Sequence, residues 1–342
     1  MLRQEQDTIA GGNLVVPKVS PPAPSPTPLR SPAISRDQIL IVTKMSRFER
    51  EKMATNCSDE QLLAHYKAIG ESGARILAAH LYNQQSIELC KREVPPAHVT
   101  SLDAPDTTTN LSRFKLVIAL GGDDFFKLVG HRIKDSLPIL GVNSDPASSL
   151  GALLPITIEQ LPEALIRIER GEYRLESWSR LAITLNGVDQ GAAINDIILG
   201  KRDFRLTSRH ELEYRGAKVT QRCSGILIST GVGSTGWYSS AGRYLGEQDR
   251  SFPKTARFAR FELREPPVSL ADKDGTRTGN LPPLVEGTIE EGETLRITSL
   301  NDDEGIASRD SLDQIPFPRG AVAEISLHPK SLFVLIPGES SC

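Results

Sequence analysis

KLVIALGGDDFFKLVGHRIKDSLPILGVN, residues 115–143, reads as a strand, a glycine turn, a helix and a second strand. KLVIAL (115–120) is a short aliphatic run of the kind buried on both faces of a parallel sheet. FFKLVGHRIKDS has helical length and spacing, and LPILGVN (137–143) supplies the next strand. Two strands separated by a helix make a βαβ unit, so the surrounding domain is expected to be α/β with a parallel sheet. Gly121 and Gly122 stand at the carboxyl end of the first strand. Two glycines there let the chain turn sharply and bring N–H groups close to an anion, and the following helix N-terminus adds a favourable dipole. By position this is a phosphate site, although Gly and Asp are also ordinary turn residues.

Upstream, ILIVT (39–43) suits a buried parallel strand, and Ser58 with Gln61 three positions later is a capping-box signature that starts a helix. Gly70 is expected to interrupt that helix. A second helical stretch follows through Ile76, Leu77, His80 and Leu81, and His80 on that apolar face reads as structural. Residues 1–36 hold PPAPSPTPLRSP, whose prolines delete backbone donors while too few apolar side chains remain to offset ordering, and they read as a disordered tail. Glu5 and Asp7 count against a transit peptide. Downstream, a capped helix is expected from Thr157 to Arg170, with Leu161, Leu165 and Ile168 on one face, Pro162 delaying its start and Gly171 past its end. Beyond it RLAITL, AINDIILG, FRLTSRHELEY, KVTQRCSGILIST, RFARFELRE and AVAEISLHPKSLFVLI are short, β-branched and separated by turn residues, the pattern of a sandwich or barrel. ADKDGTRTGN (271–280) reads as an exposed loop. The expected division is a tail at 1–36, an α/β domain at 37–156 and a β-rich domain at 157–342, with a return of the C-terminal end to the first domain left open.

The 342 residues suit two domains sharing a cleft. Forty basic against 43 acidic residues give a formal charge of −3, which implies no general attraction to nucleic acid or an anionic membrane. No apolar run is long enough to span a bilayer, and the N-terminus lacks a secretory layout, so a cytoplasmic protein is expected. Cys57, Cys90, Cys223 and Cys342 are scattered without zinc-like spacing and read as structural or loose thiols.

Three blocks together resemble the NAD kinase family. GGDDF (121–125) is similar to its GGDGT phosphate loop, Asn195-Asp196 in AAINDIILG to its Asn-Glu pair, and GILISTGVGSTGWYSSAG (225–242) to its third block. They occur in family order, and VTKMSRFEREK and GVNSDPASSLG bring the resemblance closest to the mitochondrial-type branch. The resemblance implies a phosphofructokinase- and diacylglycerol-kinase-like α/β domain, a mainly β, sandwich-like second domain, and transfer of a phosphoryl group from ATP to the adenosine ribose 2′-hydroxyl of NAD, making NADP. It implies Asp123 as the catalytic residue that orients or deprotonates the hydroxyl. Gly121, Gly122 and Asp124 would meet the donor phosphates, with Mg²⁺ carried on those phosphates rather than in a fixed protein site. Asn195 and Asp196 match contacts to adenine and ribose. Thr230, Ser234, Thr235 and Ser240 fall at the family's polar NAD contacts, and Trp237 takes the place of an aromatic that lies against the nucleotide, with a core position as its alternative. The family also implies a homodimer or tetramer formed through the second domain.

Gly231, Gly233 and Gly236 satisfy GxGxxG as well, but the βαβ context of a Rossmann fingerprint is missing around them. Asp124 and Phe125 depart from the family loop. A second carboxylate beside a phosphate cradle repels the ligand unless a metal bridges it. By analogy with phosphofructokinases, Asp124 is expected to crowd an ATP site in favour of polyphosphate or pyrophosphate, or else to add a Mg²⁺ ligand. Ser224 stands where many members place an aspartate, and Asp196 shortens the family's Glu by one methylene. Two other functions compete: a lipid-type kinase of the same loop class, which predicts a membrane-facing surface, and a non-catalytic NAD(P)-binding regulator.

Overall fold

The computed structural model describes residues 31–102, 111–133, 136–147, 150–242, 246, 249–267 and 283–338. The first part of the chain supplies strands β1 (Ile39–Thr43), β2 (Val99–Ser101), β3 (Leu116–Gly121), β4 (Ile139–Asn143), β5 (Ile156–Thr157) and β6 (Tyr173–Trp178). Between them lie helices α1 (Arg47–Thr55), α2 (Asp59–Ala68), α3 (Gly73–Glu93), α4 (Asp123–Gly130) and α5 (Leu161–Glu169). Strands β2, β1, β3 and β4 are neighbours in that order and all run parallel, with β5 on β4. Every residue of β1, β3 and β4 is buried, which is what unbroken aliphatic runs require of strands covered on both faces.

The second part forms two antiparallel sheets. Their strands are β7 (Leu181–Leu185), β8 (Val188–Ala193), β9 (Asp196–Lys201), β10 (Ser208–Tyr214), β11 (Ala217–Cys223), β12 (Gly225–Ser229), β13 (Phe258–Arg264), β14 (Glu286–Glu290), β15 (Thr294–Ser299), β16 (Gly305–Arg309), β17 (Ile315–Pro316) and β18 (Val322–Leu327). One sheet has the order β11-β10-β15-β18-β7-β8 and the other β14-β13-β12-β9-β16-β17. Their inner faces share one core, in which Ile183, Leu212 and Ile325 of the first meet Leu199, Ile226 and Phe261 of the second. Strand β10 alternates buried and solvent-facing residues, as a sandwich face should. Strands β9 and β12 are buried on both faces, because the short helix α6 (Trp237–Ala241) and the segment around Phe252 cover the outside of their sheet.

The last strand, β19 (Leu332–Pro337), leaves the sandwich and inserts in the first sheet between β4, to which it is parallel, and β6, to which it is antiparallel. The run AVAEISLHPKSLFVLI therefore divides into β18 and β19, one in each layer system. Helix α5 and strand β6, which follow residue 156, also build the first sheet and its core. Residues 1–30 of the expected tail, and the loop 271–280, lie outside the described residues. Residues 31–36, assigned to that tail on their prolines, are docked instead: Ser31 N donates to Gly171 O at 3.1 Å, Ile34 is buried in the core, and Arg36 pairs with Glu93 and Glu169.

Helix α1 is absent from the sequence reading, yet Ser46 caps it by accepting from Glu49 N at 3.1 Å, and Asn56 ends it with φ +50°. Ser58 and Gln61 form the capping box expected of α2. Cys90 and Cys223 are free buried thiols that desolvation pushes up to about 12 and about 11, whereas Cys57 is half-exposed. No helix among the described residues is long and apolar enough to cross a membrane.

Candidate active site

The glycine turn at the end of β3 sets the first half of the site. Gly121 is buried, and a Cβ on it would lie 2.7 Å from Cδ1 of Phe125, so any side chain there would displace the start of α4. Gly122 caps α4 in an extended conformation, and Asp123 and Asp124 occupy the first turn, where the helix dipole favours negative charge. Asp123 is held on both oxygens: Oδ1 accepts from Leu153 N at 2.9 Å and Oδ2 from Ala152 N at 3.1 Å. The same loop is tied from the other side, since Lys254 Nζ donates to Ala152 O at 3.1 Å while lying 4.6 Å from the Trp178 ring. Burial lowers the Lys254 pKa, opposed by the charges of Glu176 and Asp123. Asp124 does not crowd the turn. Its side chain is 86% exposed and pairs at 2.9 Å with Lys127, whose own side chain is only 9% exposed.

The second half is built at the entry to β9. Asp310, fully buried, accepts from Ile194 N (2.8 Å), Asn195 N (2.6 Å) and Asp196 N (3.1 Å), and its Oδ2 lies 2.5 Å from His131 Nε2 on the turn that ends α4. A carboxylate can only accept, so Nε2 carries the proton there. Lys127 Nζ reaches Asp310 O at 3.3 Å. The glycine turn and the Asn195-Asp196 pair are thus joined through one helix: Asp124 to Lys127, Lys127 to Asp310, Asp310 to the pair. No spacing rule connects position 127 to 310, and the sequence reading missed Lys127, His131, Lys254 and Asp310. The fixed backbone leaves the side chains poised, because Asn195 Oδ1 and Asp196 Oδ1 are buried without a hydrogen-bond partner. Buried acceptors left unsatisfied are costly, so such a pair marks a place for ligand donors.

Desolvation, and then the nearby Asp310 charge, push the Asp196 carboxyl up to about 7, against the lowering effect of Lys127. An acid with a raised folded pKa holds its proton where the unfolded chain has already ionised. Its contribution to stability therefore falls as pH rises from the ordinary value, 3.8, to about 7, and stays low above that. Asp196→Asn is expected to raise the thermal midpoint on the alkaline side of this range and to leave it nearly unchanged on the acid side; equal shifts at both ends would contradict the assignment.

The third block supplies the turn beside this pair. Thr230 Oγ1 donates to Ile194 O at 2.6 Å and accepts from Val232 N at 3.1 Å, and Ser234 Oγ donates to Gly231 O at 2.8 Å and accepts from Phe252 N at 3.1 Å. Both residues are fully buried. Their hydroxyls are occupied by the main chain, so Thr230 and Ser234 shape the turn instead of presenting polar groups to a ligand. Gly233 is required because a Cβ would lie 2.5 Å from Asn195 O. Thr235 and Ser240 are exposed, and Ser240 Oγ donates only to Trp237 O, at 2.9 Å. Trp237 is half-buried, edge-on to Phe204 with Arg264 4.6 Å from its ring, and with Ile198, Ser308 and Ser311 it lines a pocket of about 350 Å³. The glycines 231, 233 and 236 follow an antiparallel strand of the sandwich, which excludes a Rossmann turn.

In front of the Gly122–Phe125 turn lies a larger cleft, about 770 Å³, closed on its far side by the β1–α1 loop and by α3. His80, read from its spacing as structural, lines this cleft. Among the described residues no group of three His, Cys, Asp or Glu side chains is placed to hold a metal by itself.

No family model matches the chain. It is 25% identical over 279 residues to a protein of Oryza sativa subsp. japonica named Probable NADH kinase, covering 75% of this chain and 82% of that one. An NAD kinase of Clostridium perfringens is 34% identical over 138 residues, 39% of this chain, and the match spans about half, 49%, of that relative. In fold the chain is similar to an NAD kinase from Archaeoglobus fulgidus in complex with ATP, with TM-score 0.54 and 16% identity over 86% of this chain and 92% of that one. It is also similar to the yeast NADH kinase complexed with NADH, with TM-score 0.59 and 15% identity over 87% and 83%. In sequence and in fold the chain is similar to NAD kinases and NADH kinases.

Against the NAD kinase family pattern, the three departures now have surroundings. The charge of Asp124 is offset by Lys127. The shortened Asp196 sits on main chain fixed by Asp310. Ser224 Oγ donates to the carboxylate of Glu265, so a negative group lies beside the position where many NAD kinases carry their own.

Proposed function

We propose that the chain is an NAD kinase, transferring the terminal phosphoryl group of ATP to the adenosine ribose 2′-hydroxyl of NAD to give NADP. The observation that carries this reading is the pair of buried, unpartnered acceptors on Asn195 and Asp196, tied through α4 to the Gly121–Asp124 turn. An adenosine offers the matching donors, an exocyclic amine and ribose hydroxyls. Phosphoryl transfer has a loose transition state, so a protein accelerates it mainly by placing the nucleophile and neutralising charge. Asp123, fixed by two main-chain donors, orients the hydroxyl. The N–H groups at the start of α4 face the transferred group, and Lys127 balances Asp124. Mg²⁺ arrives on the donor phosphates, and Asp124, exposed at the rim, is the side chain that would meet it. The enzyme is taken as a cytoplasmic homodimer or tetramer joined through the β-rich half.

The test is NADP formation by the full chain, supplied with NAD or NADH as acceptor and ATP, pyrophosphate or polyphosphate as donor. Product with ATP is expected. Absence of product with every donor, despite NAD binding, would favour a non-catalytic regulator. Since Asp124 is solvent-screened and paired, Asp124→Gly is expected to change the ratio of ATP to polyphosphate activity by less than about threefold. A larger swing towards ATP would restore crowding of the donor as the role of Asp124.

A further inference from the structure

Lys254 Nζ and Asp123 Oδ1 sit at the two ends of a single peptide group. The ammonium donates to Ala152 O at 3.1 Å, and the N–H of that same planar unit, on Leu153 N, donates to Oδ1 at 2.9 Å. In a trans peptide the C=O and N–H point in opposite directions, so cation, peptide dipole and carboxylate stand in series. A donor on the carbonyl oxygen polarises the unit and strengthens its N–H as a donor. Oδ2 takes the neighbouring amide, Ala152 N, at 3.1 Å, so both anchors of Asp123 come from the turn that Lys254 holds. Lys254 is mounted for this contact. Its carbonyl accepts from Ser179 N at 3.3 Å, and Ser179 Oγ donates to Ala256 O at 2.6 Å, which fixes the segment where β6 passes into β7. On its other side the segment packs against the third-block turn: Ser234 Oγ accepts from Phe252 N at 3.1 Å, and a Cβ on Gly231 would lie 1.9 Å from Pro253 O. The side chain is half-buried with its ammonium 4.6 Å from the Trp178 ring centroid. Burial acts against its charge, and the carboxylates of Glu176 and Asp123 support it.

We propose that Lys254 is a positioning residue for Asp123, acting from the β-rich half through the Ala152–Leu153 peptide. The proposal rests on the kinase reading for what Asp123 does, and adds the group that sets the direction of its carboxylate. Without the ammonium, that peptide is free to turn about its flanking bonds, and the Leu153 N–H loses its fixed aim. Asp123 starts α4 on the first sheet, whereas Lys254 follows the third block, so the orientation of the carboxylate depends on how the two halves are docked. A shift of about 1 Å in a reacting group is enough to lower a rate by about 10²-fold. A lysine making only a solvated surface contact contributes little and would leave Asp123 where it is.

Two variants of the full chain test this. Lys254→Met keeps an unbranched apolar stem against Trp178 and removes the donor, whereas Lys254→Arg keeps both the cation and the donor. With NAD and Mg²⁺-ATP as substrates, Lys254→Met is expected to lower kcat about tenfold, the loss of one charge-assisted hydrogen bond, with KM for both substrates within about twofold. Lys254→Arg is expected to keep kcat within about threefold of the wild type. Hydrogen exchange at the Leu153 amide reads the clamp without catalysis. It should quicken about tenfold in Lys254→Met and less than about threefold in Lys254→Arg, while the amides of β3 stay protected and show that both variants are folded. An unchanged kcat in Lys254→Met, a rise in KM alone, or Leu153 exchange equal to that of the wild type would overturn the proposal. A wild-type chain that makes no NADP would sink the kinase reading alone, and exchange at Leu153 would still decide whether Lys254 holds the anchor of Asp123.

Discussion

Asp123→Asn lowers the rate of NADP formation by about 10²- to 10⁴-fold, the range for loss of a positioned acid–base group. Asparagine has the shape of aspartate but can satisfy only one of its two anchors. Its carbonyl oxygen accepts from Leu153 N, and its amide nitrogen then faces Ala152 N, donor against donor. The side chain loses both the charge that engages the attacking hydroxyl and the orientation that places it. The proposed function assigns binding of NAD and ATP to other groups, so the loss should fall on kcat with KM nearly unchanged, the signature of an interaction made in the transition state. A variant with normal kcat and raised KM would reassign Asp123 to binding.

Asp310→Ala is expected to destabilise the fold by about 3–5 kcal/mol, because several buried donors lose their one acceptor and each unsatisfied buried group costs about 1–3 kcal/mol. The carboxylate satisfies the amides of Ile194, Asn195 and Asp196 together with His131 Nε2, and alanine leaves all four without an acceptor. Asp310→Asn keeps one acceptor oxygen and should lose less. In whatever fraction stays folded, KM for NAD should rise more than KM for ATP, because the released segment carries Asn195 and Asp196. A denaturant midpoint within about 1 kcal/mol of the wild type for Asp310→Ala would contradict the role of this residue as the joint between the two halves.

Much of this architecture is legible in the sequence. Unbroken aliphatic runs at 39–43, 116–120 and 139–143 specify parallel strands, and alternation in β10 and β18 specifies a sandwich face. The departure of β19 to the first sheet is not legible, because a β-branched run carries no record of which sheet it joins. Residues 31–36 misread for a related reason: proline content argues for disorder, while their order comes from long-range partners at Glu93, Glu169 and Gly171. In the site, the turn at 121–124 and the pair at 195–196 are local patterns and can be read. Asp310, in the unremarkable run SRDSLD, acquires its role only when the fold carries it against α4. His80 has the structural part that its spacing predicts, stacked on Phe48 and bonded to Ser46, while the same face of α3 also borders the cleft.

The central claim is that a phosphoryl group passes from ATP to the 2′-hydroxyl of NAD under the control of Asp123. Phosphorus NMR of the dinucleotide recovered after incubating the full chain with NAD, ATP and Mg²⁺ tests this directly, with Asp123→Ala alongside. The expected result is a new phosphomonoester on the adenosine ribose 2′ position with the wild-type chain and none with the variant. A dinucleotide recovered unchanged from the wild type, or the same product formed at the same rate by Asp123→Ala, would contradict it.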